Sequence, residues 1–267
     1  MTENRDVKST YDQAANDYRQ HLEDPARSPL HAYYEKPAMH ALLPALGGLA
    51  VINLGCGTGE DAQWLADAGA ATVSAIDLSE GQIRIAQEHY PAVDFKVMDI
   101  SKLDYPDKLF DIAYSSLAMH YVRDWDRALQ EVHRVLKADG RFLFSCIHPF
   151  ESALDYTVSK QQRQALYGRT ISNDNQDRTI VGDYLSLTDD GVRPIKRMIA
   201  DTHDVDYYHR PFGVMVKSIL AAKFVIAAAI EPLPDPGMLE NSPEHFKQVS
   251  QQPKFMLWDL RKDRRHS

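Results

Sequence analysis

The sequence predicts an α/β domain built on a doubly wound, largely parallel sheet. Two patterns carry that expectation. From residue 50 onward, short apolar runs alternate with helix-length amphipathic stretches, as expected for strands buried on both faces and joined by crossover helices. The first of those runs ends in a glycine-rich turn that opens a helix, a context in which such glycines carry meaning. Length and composition agree: 267 residues, 44% hydrophobic and 25% charged, fit one elaborated domain that buries roughly 70–75% of its unfolded surface without a disulfide or metal staple.

In chain order, Tyr11 to Leu46 reads as two helical stretches broken around Pro25 to Pro29, a cap over the open end of the sheet. Strands are expected at Ala50–Leu54, Thr72–Ile76, Asp94–Met98, Phe110–Tyr114 and Arg141–Ile147, each short, apolar and bounded by Gly, Asp or Ser. Helices fill the gaps. Glu60–Ala68 stops at Gly69, and Asp126–Lys137 carries Ala128, Leu129, Val132, Val135 and Leu136 at helical spacing before Gly140.

Glu151 to Gly191 is polar and rich in Gln, Asn and Asp, which reads as a lid insertion. A helix over Met215–Ala222, a strand over Phe224–Ile230, a stiff Pro-rich turn over Glu231–Gly237 and a last strand over Lys254–Leu260 follow. The expected division of a single domain is therefore a helical cap (1–46), a cofactor-binding core (50–150), a lid and substrate insertion (151–210) and a C-terminal helix with strands (211–262).

Composition narrows the function. Thirty Lys and Arg against 38 Asp and Glu give a net charge of −8, a field that repels polyanions, so nucleic acid is disfavoured as a partner. The basic tail Arg261, Lys262, Arg264 and Arg265 reads as a solvated terminal run. Met1 to Tyr11 holds no apolar leader, and the longest apolar run, Phe224–Ile230, is too short to span a bilayer. Two cysteines, Cys56 in a turn and Cys146 in an apolar run, call for neither a disulfide nor zinc, so a reduced, cytoplasmic setting without a metal is expected.

Val51 to Glu60 is a strand running into a glycine turn, with glycines at 55, 57 and 59 and Glu60 where a dinucleotide fingerprint places its third glycine. A pyrophosphate wants bare amides and a positive helix end, and Glu60 sets a negative charge there. Asp77 closes the second strand 18 residues after Gly59, where a carboxylate accepts both hydroxyls of a ribose. Asp99 suits an adenine amine, and Leu78 and Ile100 can sandwich the ring. Each acid has a blander reading as a turn or cap residue, but the ordered set describes an adenosine site without phosphates.

At this point the sequence resembles a class I S-adenosylmethionine-dependent methyltransferase of the small-molecule branch, which includes the ubiquinone and menaquinone methyltransferases. The blocks that carry the likeness are Tyr11 to Tyr18, the glycine block, Ile76-Asp77-Leu78-Ser79, Phe110 to Tyr121, Leu136 to Gly140 and Phe142 to Ser145. More weakly, His148-Pro149, Tyr208-His209-Arg210 and the Pro-rich turn resemble an uncharacterised bacterial subgroup. The resemblance implies a Rossmann-like seven-stranded sheet ordered 3-2-1-4-5-7-6 with the last strand antiparallel, and S-adenosylmethionine as cofactor, leaving S-adenosylhomocysteine. By carry-over Gly55, Cys56, Gly57 and Gly59 form the glycine loop, with the first three against the methionyl part. Asp77 holds the ribose, Asp99 and Ile100 the adenine edge, Ser115 and Ser116 the wall near the amino group, and Tyr18 the lid over the sulfonium. Three positions depart from the pattern: Asn53 replaces an acid, Gln82 a methionine, and Lys223 a glycine that ends the last helix.

Methyl transfer is an in-line displacement in which positioning does much of the work and a base is needed only for a protonated acceptor. Histidine is the first candidate. His120 follows the fourth strand with Tyr121 beside it, and His148 ends the fifth. Their blander reading is packing under the lid and a turn before proline. His203, Tyr207, Tyr208, His209 and Arg210 form a second polar and aromatic cluster, in which Arg210 suits an acidic substrate. A dinucleotide-dependent oxidoreductase, a methyltransferase acting on RNA or protein, and a silent cofactor-binding module rank below a small-molecule methyltransferase. Monomer and homodimer remain equal.

Overall fold

The structure is a computed structural model and describes residues 3–154, 168–171, 178–199 and 203–263. Helix α1 (Glu3–Glu23), a π-helical turn (His31–Glu35) and α2 (Lys36–Leu42) precede the alternating core. That core runs β1 (Ala50–Leu54), α3 (Glu60–Asp67), β2 (Thr72–Asp77), α4 (Glu80–His89), β3 (Asp94–Val97), β4 (Phe110–Ser115), a 3-10 turn (Met119–Tyr121), α5 (Trp125–Val135) and β5 (Leu136–Ile147). After it come α6 (Pro149–Ser152), β6 (Gly168–Ile171), β7 (Arg178–Val181), β8 (Arg193–Ile199), β9 (His203–His209), α7 (Phe212–Ala221), β10 (Phe224–Ile230), α8 (Gly237–Asn241), α9 (Pro243–Val249) and β11 (Phe255–Lys262).

Seven strands form one sheet in the order β3-β2-β1-β4-β5-β11-β10. Neighbours from β3 to β5 are parallel, and β11 runs antiparallel to both β5 and β10. This is the expected Rossmann-like order, with the last strand reversed. Successive side chains on β1 and β5 go to opposite faces, so each face buries its own core. Ile52, Leu54, Phe142 and Phe144 pack with Leu129 of α5 and Ile219 of α7. Val51 and Leu143 pack on the other face with Leu65 of α3 and Ile83 of α4.

Local chemistry fixes the helix starts. Ser79 Oγ accepts from the Gln82 amide (3.1 Å) and Asp124 Oδ1 from the Arg127 amide (2.9 Å), each serving an orphan donor of the first turn. The helix expected to run to Lys137 ends at Val135, because Leu136 enters the ladder opposite Phe110. Strand pairing overrides helical spacing there.

The β8–β9 hairpin and the short α8 and α9 carried no sequence signal that was read as such. On β9 Val205, Tyr207, Tyr208 and His209 are all buried, so burial there does not follow the strand period that sequence reasoning looks for. Val205 packs on Ala14 of α1, with Val7, Tyr11 and Tyr121 around them, so the hairpin and the N-terminal helix meet. Of the segment expected as a lid, 155–167 and 172–177 lie outside the described residues.

Candidate active site

Sheet order reverses between β1 and β4, and a cleft opens at the carboxyl ends of the strands there, where doubly wound sheets take ligands. The loops after four strands build it. Gly55 and Gly57 come from β1, Asp77 and Leu78 from β2, Met98, Asp99 and Ile100 from β3, and Ser116, Leu117 and Ala118 from β4. Tyr11, Tyr18 and Tyr121 add aromatic walls.

Gly55 is required twice over. Its φ is +68°, and a Cβ would lie 2.3 Å from Cβ of Ala118, so the strand loops can approach only without a side chain. Gly59 (φ +96°) is the N-cap of α3, where a Cβ would meet Phe95, Ala86 and Tyr90 at 2.8–3.0 Å. Gly59 therefore packs helix against sheet and does not line the cleft.

Asp77 is held by amides of the glycine turn and of its own loop: Gly57 N–H donates to Oδ2 and Ser79 N–H to Oδ1, both at 2.9 Å. Burial pushes its carboxyl up, against the pull of those two amides. Each oxygen keeps acceptor capacity toward the cleft, as a ribose diol needs. Asp99 accepts from Ser101 N–H (2.8 Å) and Oγ–H (2.7 Å) and fixes the turn that presents Ile100.

The tyrosines form a chain. The Tyr11 hydroxyl donates to that of Tyr121 at 2.9 Å, and the Tyr11 ring stands edge-on to Tyr18 (5.3 Å) and Tyr121 (5.6 Å). Burial pushes the Tyr11 and Tyr18 hydroxyls well above their ordinary range, so the rings stay neutral and offer π faces to a cation. The α3 N-terminus is already taken by acids: Thr58 donates to Glu60 (2.6 Å), and Lys36 pairs with Asp61 (3.3 Å). Bare glycines, Asp77 and aromatic walls fit an adenosine carrying a cationic centre, while a pyrophosphate would meet two carboxylates.

The structure brings Tyr18, Gly55, Gly57, Asp77, Leu78, Asp99, Ile100, Ser116 and Tyr121 to one cleft. It does not bring Cys56, Gly59, Ser115, His120 or His148 to the cleft wall. Cys56 is buried with its thiol against the Gly57 carbonyl (3.7 Å), and Ser115 Oγ donates to the Leu54 carbonyl (2.9 Å). His120 lies behind Tyr121, ring centroids 4.2 Å apart, and edge-on to Tyr207 (5.9 Å). His148 caps α6 by accepting from Phe150 N–H on Nδ1 (3.1 Å), and its Nε2 faces Glu231 (3.1 Å). Burial holds the His148 imidazole below its usual range.

Arg210 is buried over the rings of Trp125 (4.8 Å) and Tyr208 (5.8 Å) and donates to the Val122 and Arg123 carbonyls. It pins the loop after the 3-10 turn through Nη2, while its buried Nη1 has no hydrogen-bond partner among the described residues.

Two residues that tie the cleft loops to the N-terminal elements escaped sequence reasoning. Asp12 of α1 accepts from Ser79 Oγ (2.6 Å), Gly81 N–H (2.9 Å) and Lys8 Nζ (3.0 Å), bolting the N-terminal helix to the loop beyond Asp77. Its neighbours Tyr11 and Tyr18 were legible, but a lone helical Asp carries no signal of a partner 67 residues away. Glu35, fully buried at the end of the π-helical turn, accepts on Oε1 from Ser116 Oγ (2.9 Å) and from Ser145 Oγ. Ser145 in turn accepts from the Leu117 amide (2.9 Å), and Leu117 is left-handed at φ +47°. Among the described residues no cluster of His, Cys, Asp and Glu is arranged to hold a metal, and no helix is long and apolar enough to cross a membrane.

Comparison with known proteins agrees with this geometry. Residues 52–144 match a methyltransferase domain model. An S-adenosylmethionine-dependent methyltransferase from Mesorhizobium loti, solved as a crystal structure, is 30% identical with a TM-score of 0.66, over 90% of this chain and 100% of that one. An uncharacterised protein of Haemophilus influenzae is 28% identical over 87% of this chain and 89% of its own length. A malonyl-[acyl-carrier protein] O-methyltransferase of Pseudescherichia vulneris is 35% identical, but the match spans 44% of this chain and about half (47%) of that relative.

Proposed function

The chain belongs to the S-adenosylmethionine-dependent methyltransferases, and from that premise we propose that it methylates a small-molecule acceptor admitted beside the tyrosine wall of the cleft. The observation that carries this reading is the enclosure of one cleft by Asp77, the bare glycine loop and three tyrosines. When bound, the cofactor supplies an electrophilic methyl group on a sulfonium, which an acceptor lone pair displaces in line.

The chain's own part is to hold and orient. Asp77 takes the ribose hydroxyls, Leu78 and Ile100 flank the adenine, and Asp99 receives its amine. Tyr18 covers the sulfonium, whose charge its neutral ring favours. Tyr121, fixed by Tyr11 and backed by His120, stands on the acceptor side. Where the acceptor carries a proton, His120 behind Tyr121 is the side chain whose chemistry suits a general base. His148, engaged by Phe150 and Glu231, is left out of the chemistry. The net charge of −8 argues against a nucleic-acid acceptor. The malonyl-[acyl-carrier protein] relatives share too little of the chain to bring their acceptor with them.

Titration calorimetry with S-adenosylhomocysteine, with NAD as control and Asp77→Ala as variant, tests the cofactor site. The expected result is micromolar binding that collapses in the variant and no heat with NAD. Formation of S-adenosylhomocysteine across a panel of small acceptors, absent with RNA and protein, tests the acceptor class. Turnover confined to a macromolecule would overturn it.

A further inference from the structure

Glu35 is a buried carboxyl with an unfinished hydrogen-bond set. Both serine donors, Ser116 and Ser145, address Oε1, while Oε2 is fully buried and has no hydrogen-bond partner. A lone buried carboxyl oxygen is costly in either protonation state. The residue sits on a π-helical turn, a geometry rare enough to ask for a reason.

Its neighbours tie it to the cleft. Ser116 and Leu117 both line the cleft. One reaches Glu35 directly, and the other through Ser145. Beneath the same loops β1 offers no negative charge, since position 53 is a buried Asn whose Nδ2 donates to the Tyr114 carbonyl (3.3 Å). Glu60 is engaged by Thr58.

We propose that Glu35 is the buried counter-charge for a cationic centre of the bound cofactor, reached past Ser116. The proposal rests on the reading of the cleft as the cofactor site. S-Adenosylmethionine carries two such centres, the sulfonium and the α-ammonium, and S-adenosylhomocysteine only the second. 5′-Methylthioadenosine carries neither.

The charged and titratable groups around Glu35 come from three elements. Asp61 on α3 disfavours its ionisation, Lys36 at the start of α2 favours it, and the Tyr114 hydroxyl on β4 is neutral. Desolvation outweighs the two serine hydrogen bonds and lifts the carboxyl to about 7. A cation placed beside it reverses that balance. The Glu35 O–H bond then breaks, its proton passes to the buffer, and the carboxylate remains paired with the ligand.

Calorimetry of S-adenosylhomocysteine binding at pH 7, repeated in phosphate and Tris, reads that proton directly. The wild-type protein is expected to release about half a proton, and its affinity to be about tenfold weaker at pH 6 than at pH 8. Glu35→Gln is expected to bind more weakly, with no release and a flat profile. Any titration of Asp77 or of the ligand survives in that variant and is subtracted. Glu35→Asp, which keeps the charge, is expected to restore part of the release if the Gln protein folds poorly.

Release with S-adenosylhomocysteine but not with 5′-methylthioadenosine supports the α-ammonium as the partner. Release confined to S-adenosylmethionine supports the sulfonium. Wild-type binding of both S-adenosylmethionine and S-adenosylhomocysteine without proton release, or equal release from Glu35→Gln, overturns the proposal while the cofactor site stands. Loss of binding in neither Asp77→Ala nor Glu35→Gln would move the ligand elsewhere and overturn both.

Discussion

Asp12 and Ser79 meet across 67 positions of sequence, the Ser79 hydroxyl donating to Asp12 Oδ1 at 2.6 Å. Ser79 also caps α4, and the residue two before it is Asp77. The contact therefore sets the height of α1, with Tyr11 and Tyr18, above the loop that carries Asp77. Burial works against the charge on Asp12, but its donors Ser79, Gly81 and Lys8 prevail and hold the carboxyl below its ordinary range. Asp12→Ala removes a charged acceptor of three donors, two of them on the far element, at about 1.5–3 kcal/mol per bond in a buried setting and less here, where Asp12 is partly exposed. We expect affinity for S-adenosylhomocysteine to fall about tenfold, read by calorimetry, with only a small change in melting temperature. An unchanged affinity would mean that α1 finds its place through its other contacts, Tyr11 on Tyr121 and Ala14 on Val205 among them.

Glu35 makes a separate prediction for the ligand-free protein. Its folded carboxyl lies near 7 against 4.5 for the free side chain, so the native state binds more protons than the unfolded state between those values. Stability then falls as pH rises from about 4.5 to about 7, by a few kcal/mol at most. Carboxyls held low in the fold, Asp12 and Glu131 among them, have the opposite sign and act at lower pH. Histidines that burial holds low, His148 among them, act in the opposite sense over this window, so the expected result is a relative one: in thermal melts at pH 5.5 and pH 8, the midpoint at pH 5.5 minus that at pH 8 is smaller in Glu35→Gln than in the wild-type protein.

What the sequence disclosed and what it hid follow from the range of the signal. Gly55, Gly57 and Asp77 were legible because a strand, a glycine turn and a carboxylate at the next strand end are local patterns with one physical use. The sheet order was expected from resemblance, and the pairings agree with it. Glu35, by contrast, reads as one polar residue on an amphipathic stretch. Its meaning comes from Ser116 and Ser145, 81 and 110 positions away. His148 shows the converse: the sequence offers it as a histidine at a strand end, and only the fold shows that the proline after it opens α6 and that the imidazole caps that helix. Arg210 is read from sequence as a ligand for acids, whereas the two carbonyls it serves are invisible until the fold is known.

Gly55→Ala tests the closeness of the loops. The added methyl would fall 2.3 Å from Ala118 Cβ at a left-handed backbone position, so either the β1 loop or the loop after β4 must move. Both loops line the cleft. The expected outcome is a folded protein, destabilised by about 1–3 kcal/mol, whose calorimetric titration with S-adenosylhomocysteine shows no binding. Retained micromolar binding would show that the cleft tolerates a shift of Ala118.

Lys223 supplies the opposite case. It follows α7 with φ +65°, its amide donating to the Leu220 carbonyl at 3.0 Å, the place where a left-handed glycine commonly ends a helix. A side chain there costs about 1–2 kcal/mol, part of which a glycine returns through the greater entropy of the unfolded chain. Lys223→Gly is therefore expected to stabilise the protein by about 0.5–1 kcal/mol, a rise of roughly 1–3 °C in melting temperature. The residue precedes β10 at the amino end of that strand, away from the carboxyl ends of β1 to β4, so binding of S-adenosylhomocysteine should not change. A fall in the melting temperature would show that the Lys223 ammonium stabilises the carboxyl end of α7 by more than its backbone conformation costs.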